Sequence, residues 1–93
     1  MQSYVYFMAN THNTTLYTGV TGNLVKRVWE HKTGVDKKCF THRYNCHKLV
    51  YYEVFNDIKN AIAREKQIKN WKREWKDELI AKDNAGWRDL EII

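Results

Sequence analysis

The first twenty residues constrain this chain more than any other feature. Tyr4-Val5-Tyr6-Phe7-Met8-Ala9 is a β-branched and aromatic run, the composition of a strand. Asn10-Thr11-His12-Asn13-Thr14 is turn chemistry, because such side chains bond nearby backbone in place of a ladder. Leu16-Tyr17-Thr18-Gly19-Val20 then reads as a second strand. Two strands so closely joined pair as an antiparallel hairpin, and the rest of the chain has to cover it.

The next seventy residues can supply that cover. Thr21-Gly22-Asn23 punctuates, with Asn23 as an N-cap, and a helix is expected through Leu24, Val28 and His31, ending near Gly34. Residues 35–48 carry many Lys, Arg and His without clear periodicity and read as a basic loop. Leu49-Val50-Tyr51-Tyr52-Glu53-Val54-Phe55 is the third strand. Asn56-Asp57 caps a second helix whose apolar stripe is Ile58, Ala61, Ile62 and Ile68. Trp71, Trp75 and Leu79, at i, i+4 and i+8, mark further helix, either continuous with the second or separated from it by a break near Asn70. The tail, residues 84–90, reads as a turn that folds Trp87 and Leu90 back onto the body. The order ββαβαα implies an α+β fold, a small three-stranded antiparallel sheet with flanking helices.

Length and composition narrow the class. At 93 residues the chain is expected to be a single domain. Its 14% aromatic and 29% charged content suits a compact fold and argues against disorder. No apolar run approaches a membrane span, and Met1-Gln2-Ser3-Tyr4-Val5 lacks the charged and apolar regions of a signal peptide, so a cytoplasmic location is the expectation. Two cysteines are too few for a disulfide scaffold and read as reduced thiols. A net charge of +5 favours polyanions, nucleic acid being the commonest.

The informative residues are those that break the local pattern. Glu65 falls on or beside the apolar stripe, where an ionised carboxylate needs a metal or a salt bridge to a neighbouring Lys or Arg. Arg27 and His31 stand i, i+4 on one helical face, where a guanidinium can clamp phosphate or snorkel to solvent. Tyr4 and Tyr6 share a strand face and Tyr17 sits on the neighbouring strand; such hydroxyls either pack and hydrogen-bond or handle a proton. Gly19 marks a close approach of backbone or ligand, or a bulge. Cys39, His42, Cys46 and His47 are zinc-ligand types at poor spacing, since the last two are adjacent. Lys66, Lys69, Arg73 and Lys76, spaced three, four and three, line one face of a continuous helix, as phosphate contacts or as a solvated surface, while the tryptophans line another.

Taken in order, these residues resemble the GIY-YIG nuclease superfamily. Tyr4-Val5-Tyr6 looks like its first motif, with Tyr6 as the tyrosine, and Tyr17-Thr18-Gly19 like its second. Tyr4 stands where the name has Gly, and Thr18 replaces Ile. The stretch from Asn23 to Lys32 resembles the family helix, which carries an Arg and, four residues on, a His. Phe40-Thr41-His42-Arg43-Tyr44, Leu49 to Glu53, and Ala63 to Lys69 resemble the small stand-alone bacterial branch. That branch is related to the N-terminal nuclease domain of the excision-repair endonuclease, a kinship that implies DNA repair. The resemblance covers nearly the whole chain. Family nucleases also use an Asn after the glutamate; Asn70 lies too close to Glu65 and Asn84 stands in a turn, so neither takes that role firmly.

The resemblance implies hydrolysis of DNA phosphodiester bonds, with Glu65 holding Mg²⁺ or Mn²⁺, Arg27 stabilising the phosphate, and Tyr6, Tyr17 or His31 activating water. Gly19, Lys26, Arg43, Lys66, Lys69 and Arg73 fall on the expected nucleic-acid side. RNA stays open as a substrate. With no separate recognition domain in the sequence, targeting would fall to a protein partner. The competing readings are a non-catalytic nucleic-acid-binding module on the same fold, a protein-interaction domain using its tryptophans, and a zinc module.

Overall fold

The computed structural model describes residues 2–34 and 44–92. Strands β1 (Ser3–Ala9) and β2 (Leu16–Thr21) pair antiparallel as the turn chemistry predicts, with Tyr6 opposite Gly19 and Met8 opposite Tyr17. Asn10 organises the turn: its Oδ1 accepts from the Thr14 and Thr15 amides, each at 2.9 Å, and Asn13 takes the left-handed backbone at φ 59°. Strand β3 (Lys48–Phe55) pairs with the other side of β1, giving a three-stranded antiparallel sheet in the order β2-β1-β3. With β1 central, its alternate side chains feed two different cores.

On one face Val5, Phe7 and Ala9 pack with Val50, Tyr51, Ala61, Ile68 and Ile80. On the other, Tyr6 and Met8 pack with Leu24, Val28, Cys46 and Leu49. A bulge explains why Val50 and Tyr51, adjacent in sequence, serve the same core. Phe7 faces Tyr51 and Met8 faces Leu49, so Val50 is the extra residue.

Helix α1 (Leu24–Thr33) covers the second face and has the ends its sequence predicts. Asn23 accepts from the Lys26 amide, and Gly34 closes the helix in the left-handed region at φ 68°. Helix α2 (Ile58–Lys69), capped by Asp57, and α3 (Arg73–Asp83) cover the first face. The chain breaks between them at Asn70, where the Asn70 and Trp71 amides both turn back into the last turn of α2. The break corrects the expectation of one continuous basic face: Lys66 and Lys69 end α2, whereas Arg73 and Lys76 open α3. The apolar stripe is also narrower than expected. Ala61 and Ile68 are buried, while Ile58 and Ile62 are exposed, because one side of a two-sided sheet leaves α2 only a slim contact line.

The tail folds back as expected. Trp87 packs on the first core and Leu90 on the second, and the Leu90 amide donates to the Leu49 carbonyl at 2.7 Å. The buried Asn84 amide donates to the carbonyls of Val50 and Arg88, and its oxygen accepts from the Arg88 amide. No described helix is long and apolar enough to cross a membrane.

Candidate active site

Four of the residues expected to carry chemistry converge on the α1 side of the hairpin. Tyr6 and Tyr17 point there because the β1–β2 register puts both on the face that α1 covers. One helical turn sets Arg27 and His31 beside them. The Tyr6 hydroxyl lies 2.9 Å from His31 Nε2, and the rings of Tyr6, Tyr17 and His31 are mutually 5.5–6.1 Å apart. Gly19 is what lets Tyr6 fit. A Cβ at that position would come within 2.5 Å of the Tyr6 hydroxyl and 2.8 Å of the Tyr17 ring. Gly19 therefore answers to a side chain, and the close approach the sequence points to is that of a phenol ring.

The four differ in access. Tyr6 and His31 are each only 1% exposed, whereas Tyr17 is half-buried and the Arg27 side chain is 33% exposed. The cluster therefore has an inner pair and an outer pair. Burial, with the charge of Arg27 next, lowers His31 to about 4, so the imidazole is neutral at pH 7. Burial, then the neighbouring Tyr17, raises the Tyr6 phenol well above its ordinary value and keeps it protonated. A neutral imidazole can accept the Tyr6 proton in their hydrogen bond. The Arg27 guanidinium interacts by charge with both tyrosines and forms an ion pair with Glu30 at 3.2 Å.

Glu65 is on α2, which packs over β1 and β2 from the side opposite α1. Its side chain is 15% exposed, and its Oε1 is 3.4 Å from the half-exposed Lys69 ammonium. That is a long contact for an ion pair. Among the described residues no three His, Cys, Asp or Glu side chains gather into a metal cage. A lone carboxylate with a loosely held lysine fits a hard cation that keeps most of its waters and shares a substrate phosphate. Cys39, His42 and Arg43 lie outside the described residues. The Cys46 thiol is buried against the Thr15 and Tyr44 carbonyls, and burial raises its pKa.

The remaining basic residues divide. Lys26 and Lys66 are exposed on their helices. Arg73 is committed internally: Nε donates to Asp77 at 2.7 Å, and its two terminal nitrogens to the Asn13 and Thr14 carbonyls. It ties α3 to the hairpin turn. Sequence reasoning missed two neighbours of the cluster. Glu30 restrains Arg27, and opposite charge at i, i+3 was its available signal. His47 hydrogen-bonds the His31 carbonyl at 2.9 Å across sixteen residues, and no local pattern announces that. Asn84 spends its side chain on the tail and β3, away from the tyrosine cluster.

A three-stranded sheet with this helix order, and paired tyrosines beside an Arg–His helix, defines a nuclease-type domain, and the chain belongs to the GIY-YIG family. The family model for the GIY-YIG catalytic domain matches residues 2–78. Among individual proteins, a UPF0213 protein of Clostridium perfringens is 39% identical over 96% of this chain and 94% of its own length. Another, from Syntrophus aciditrophicus, is 37% identical over 85% of this chain and 90% of its own. The solution structure of a UPF0213 protein from Bacillus halodurans matches with a TM-score of 0.60 over 96% of this chain and 93% of that one. At 24% identity that likeness speaks for the fold alone.

Proposed function

We propose that this protein is a metal-dependent endonuclease that hydrolyses DNA phosphodiester bonds. The observation that carries the reading is the meeting of Tyr6, Tyr17, Arg27 and His31 on one face of the hairpin. A binding module has no use for a buried tyrosine–imidazole pair beside a guanidinium, nor for a carboxylate on an apolar stripe.

Roles follow from access and charge. Arg27 is the cluster's partly exposed cation, and it exchanges Glu30 for the scissile phosphate, whose developing charge it balances. Tyr17 is the tyrosine that solvent can reach, so it contacts the attacking water. Tyr6 and His31 lie behind it; the neutral imidazole accepts from Tyr6, and the pair holds the inner wall of the site. Glu65 holds the divalent ion, Mg²⁺ or Mn²⁺, which supplies Lewis-acid polarisation of the phosphate when bound. Tyr17 lies on the edge strand β2 and α2 crosses that strand from behind, so DNA would bridge the two halves around the β2 edge. Lys26, Lys66 and Lys69, with Arg43, would hold its backbone in a cytoplasmic setting.

The test is incubation of the purified protein with labelled duplex, flapped and single-stranded DNA, with Mg²⁺, Mn²⁺ or chelator, beside Glu65→Ala. The expected result is metal-dependent cutting that falls at least about a hundredfold in the variant, several kcal/mol of transition-state stabilisation. Binding to all substrates with cutting of none would sink the enzyme reading and leave the binding module.

A further inference from the structure

We infer that the groove formed by Trp71 and Trp75 is a stacking platform for an unpaired base of single-stranded DNA. The inference rests on the nuclease reading only in naming DNA as the occupant.

Trp75 is 48% exposed, which leaves much of its indole surface open to a planar partner. It is held there by Trp71, whose ring meets it edge-on at 6.3 Å and 78°. Trp71 is itself anchored, packing on the first core with the Arg64 guanidinium over its ring at 5.0 Å. The two indoles form a groove with Glu78, Leu79 and Lys82, and the Lys72 ammonium lies over the Trp75 ring at 5.8 Å.

Charge decides between occupants. At the groove itself Lys72 and Lys82 stand against Glu78, so its charge favours a polyanion. Duplex DNA presents phosphates to such a surface but keeps its bases stacked inside. A single strand offers both a free π-face and a phosphate at every step, the combination that aromatic residues interleaved with lysines bind.

The experiment measures binding of wild type, Trp75→Ala and Trp75→Phe to labelled oligothymidylate, oligouridylate and a matched duplex. Chelator is present so that nothing is cut, and sedimentation is followed in parallel. The expected result is a loss of about tenfold or more for Trp75→Ala on oligothymidylate, largely restored by Phe, with duplex affinity changed by less than about twofold. The proposal is overturned if wild type does not bind oligothymidylate, or if the Ala variant weakens strand and duplex alike. Unchanged strand binding with an altered sedimentation coefficient would make the groove a contact between copies of this chain, and clearly tighter oligouridylate binding would reassign the occupant to RNA. None of these outcomes depends on cleavage, so the platform and the nuclease reading can fail separately.

Discussion

At the scale of single residues, the site depends on a glycine and a neutral histidine. Gly19→Ala would push a methyl group to 2.5 Å from the Tyr6 hydroxyl, and the ring has core on its other side. Overpacking of this kind costs about 1–3 kcal/mol, so urea denaturation should show that loss, and cleavage should fall because Tyr6 is displaced. His31 makes a prediction about pH. Its folded-state pKa of about 4 lies below the ordinary 6.5, so between those values the unfolded chain binds the proton that the folded protein refuses. Stability should therefore be full above about pH 6.5 and decline as pH falls toward 4, by on the order of 2–3 kcal/mol. The check is denaturation across that range beside His31→Gln; an equally steep decline in the variant would move the cause to other groups.

At the scale of elements, what was legible in the sequence was local. The hairpin, both ends of α1 and the cap of α2 follow from turn and capping chemistry within a few residues. That Tyr4 and Tyr6 share a face was legible too, because alternation fixes it within a strand, whereas the register that sets Tyr17 beside Tyr6 belongs to the pairing of β1 with β2. The break at Asn70 was not, since Asn interrupts a helix only when packing favours it, and here Trp71 turns in to meet the core. Nor were Arg73 at the hairpin turn or His47 at the His31 carbonyl, contacts set by which elements dock. Glu65 was legible only as an anomaly on a stripe. Docking also fixes Asn84, whose amide makes three hydrogen bonds between β3 and the tail. Asn84→Ala should cost about 2–3 kcal/mol, and the Leu90 amide should lose much of its protection from hydrogen exchange. A Leu90 amide that stays protected would show that the tail is held by its apolar contacts.

At the scale of the molecule, the two faces of the sheet divide the labour. The α1 side carries Tyr6, Tyr17, Arg27 and His31; α2 and α3, on the other side, carry Glu65 and Trp75. On the proposed nuclease reading, nucleic acid spanning both would make backbone contacts spread around the β2 edge. If Lys26, Arg43, Lys66 and Lys69 each meet a phosphate, the logarithm of duplex affinity should fall with the logarithm of salt at a slope of about −3.6. Replacing Lys66 by Ala should make that slope shallower by about 0.9 without changing sequence preference, and an unchanged slope would remove Lys66 from the DNA path.

The bulge in β3 has its own consequence. Pairing with β1 runs from Leu49 directly to Tyr51, so the strand holds one link more than its partner requires. The carbonyl of that surplus link, Val50, is the one Asn84 grips. The molecule fastens its own end to slack in its sheet. A chain shortened by that single link could keep every rung of the ladder and still let go of its tail.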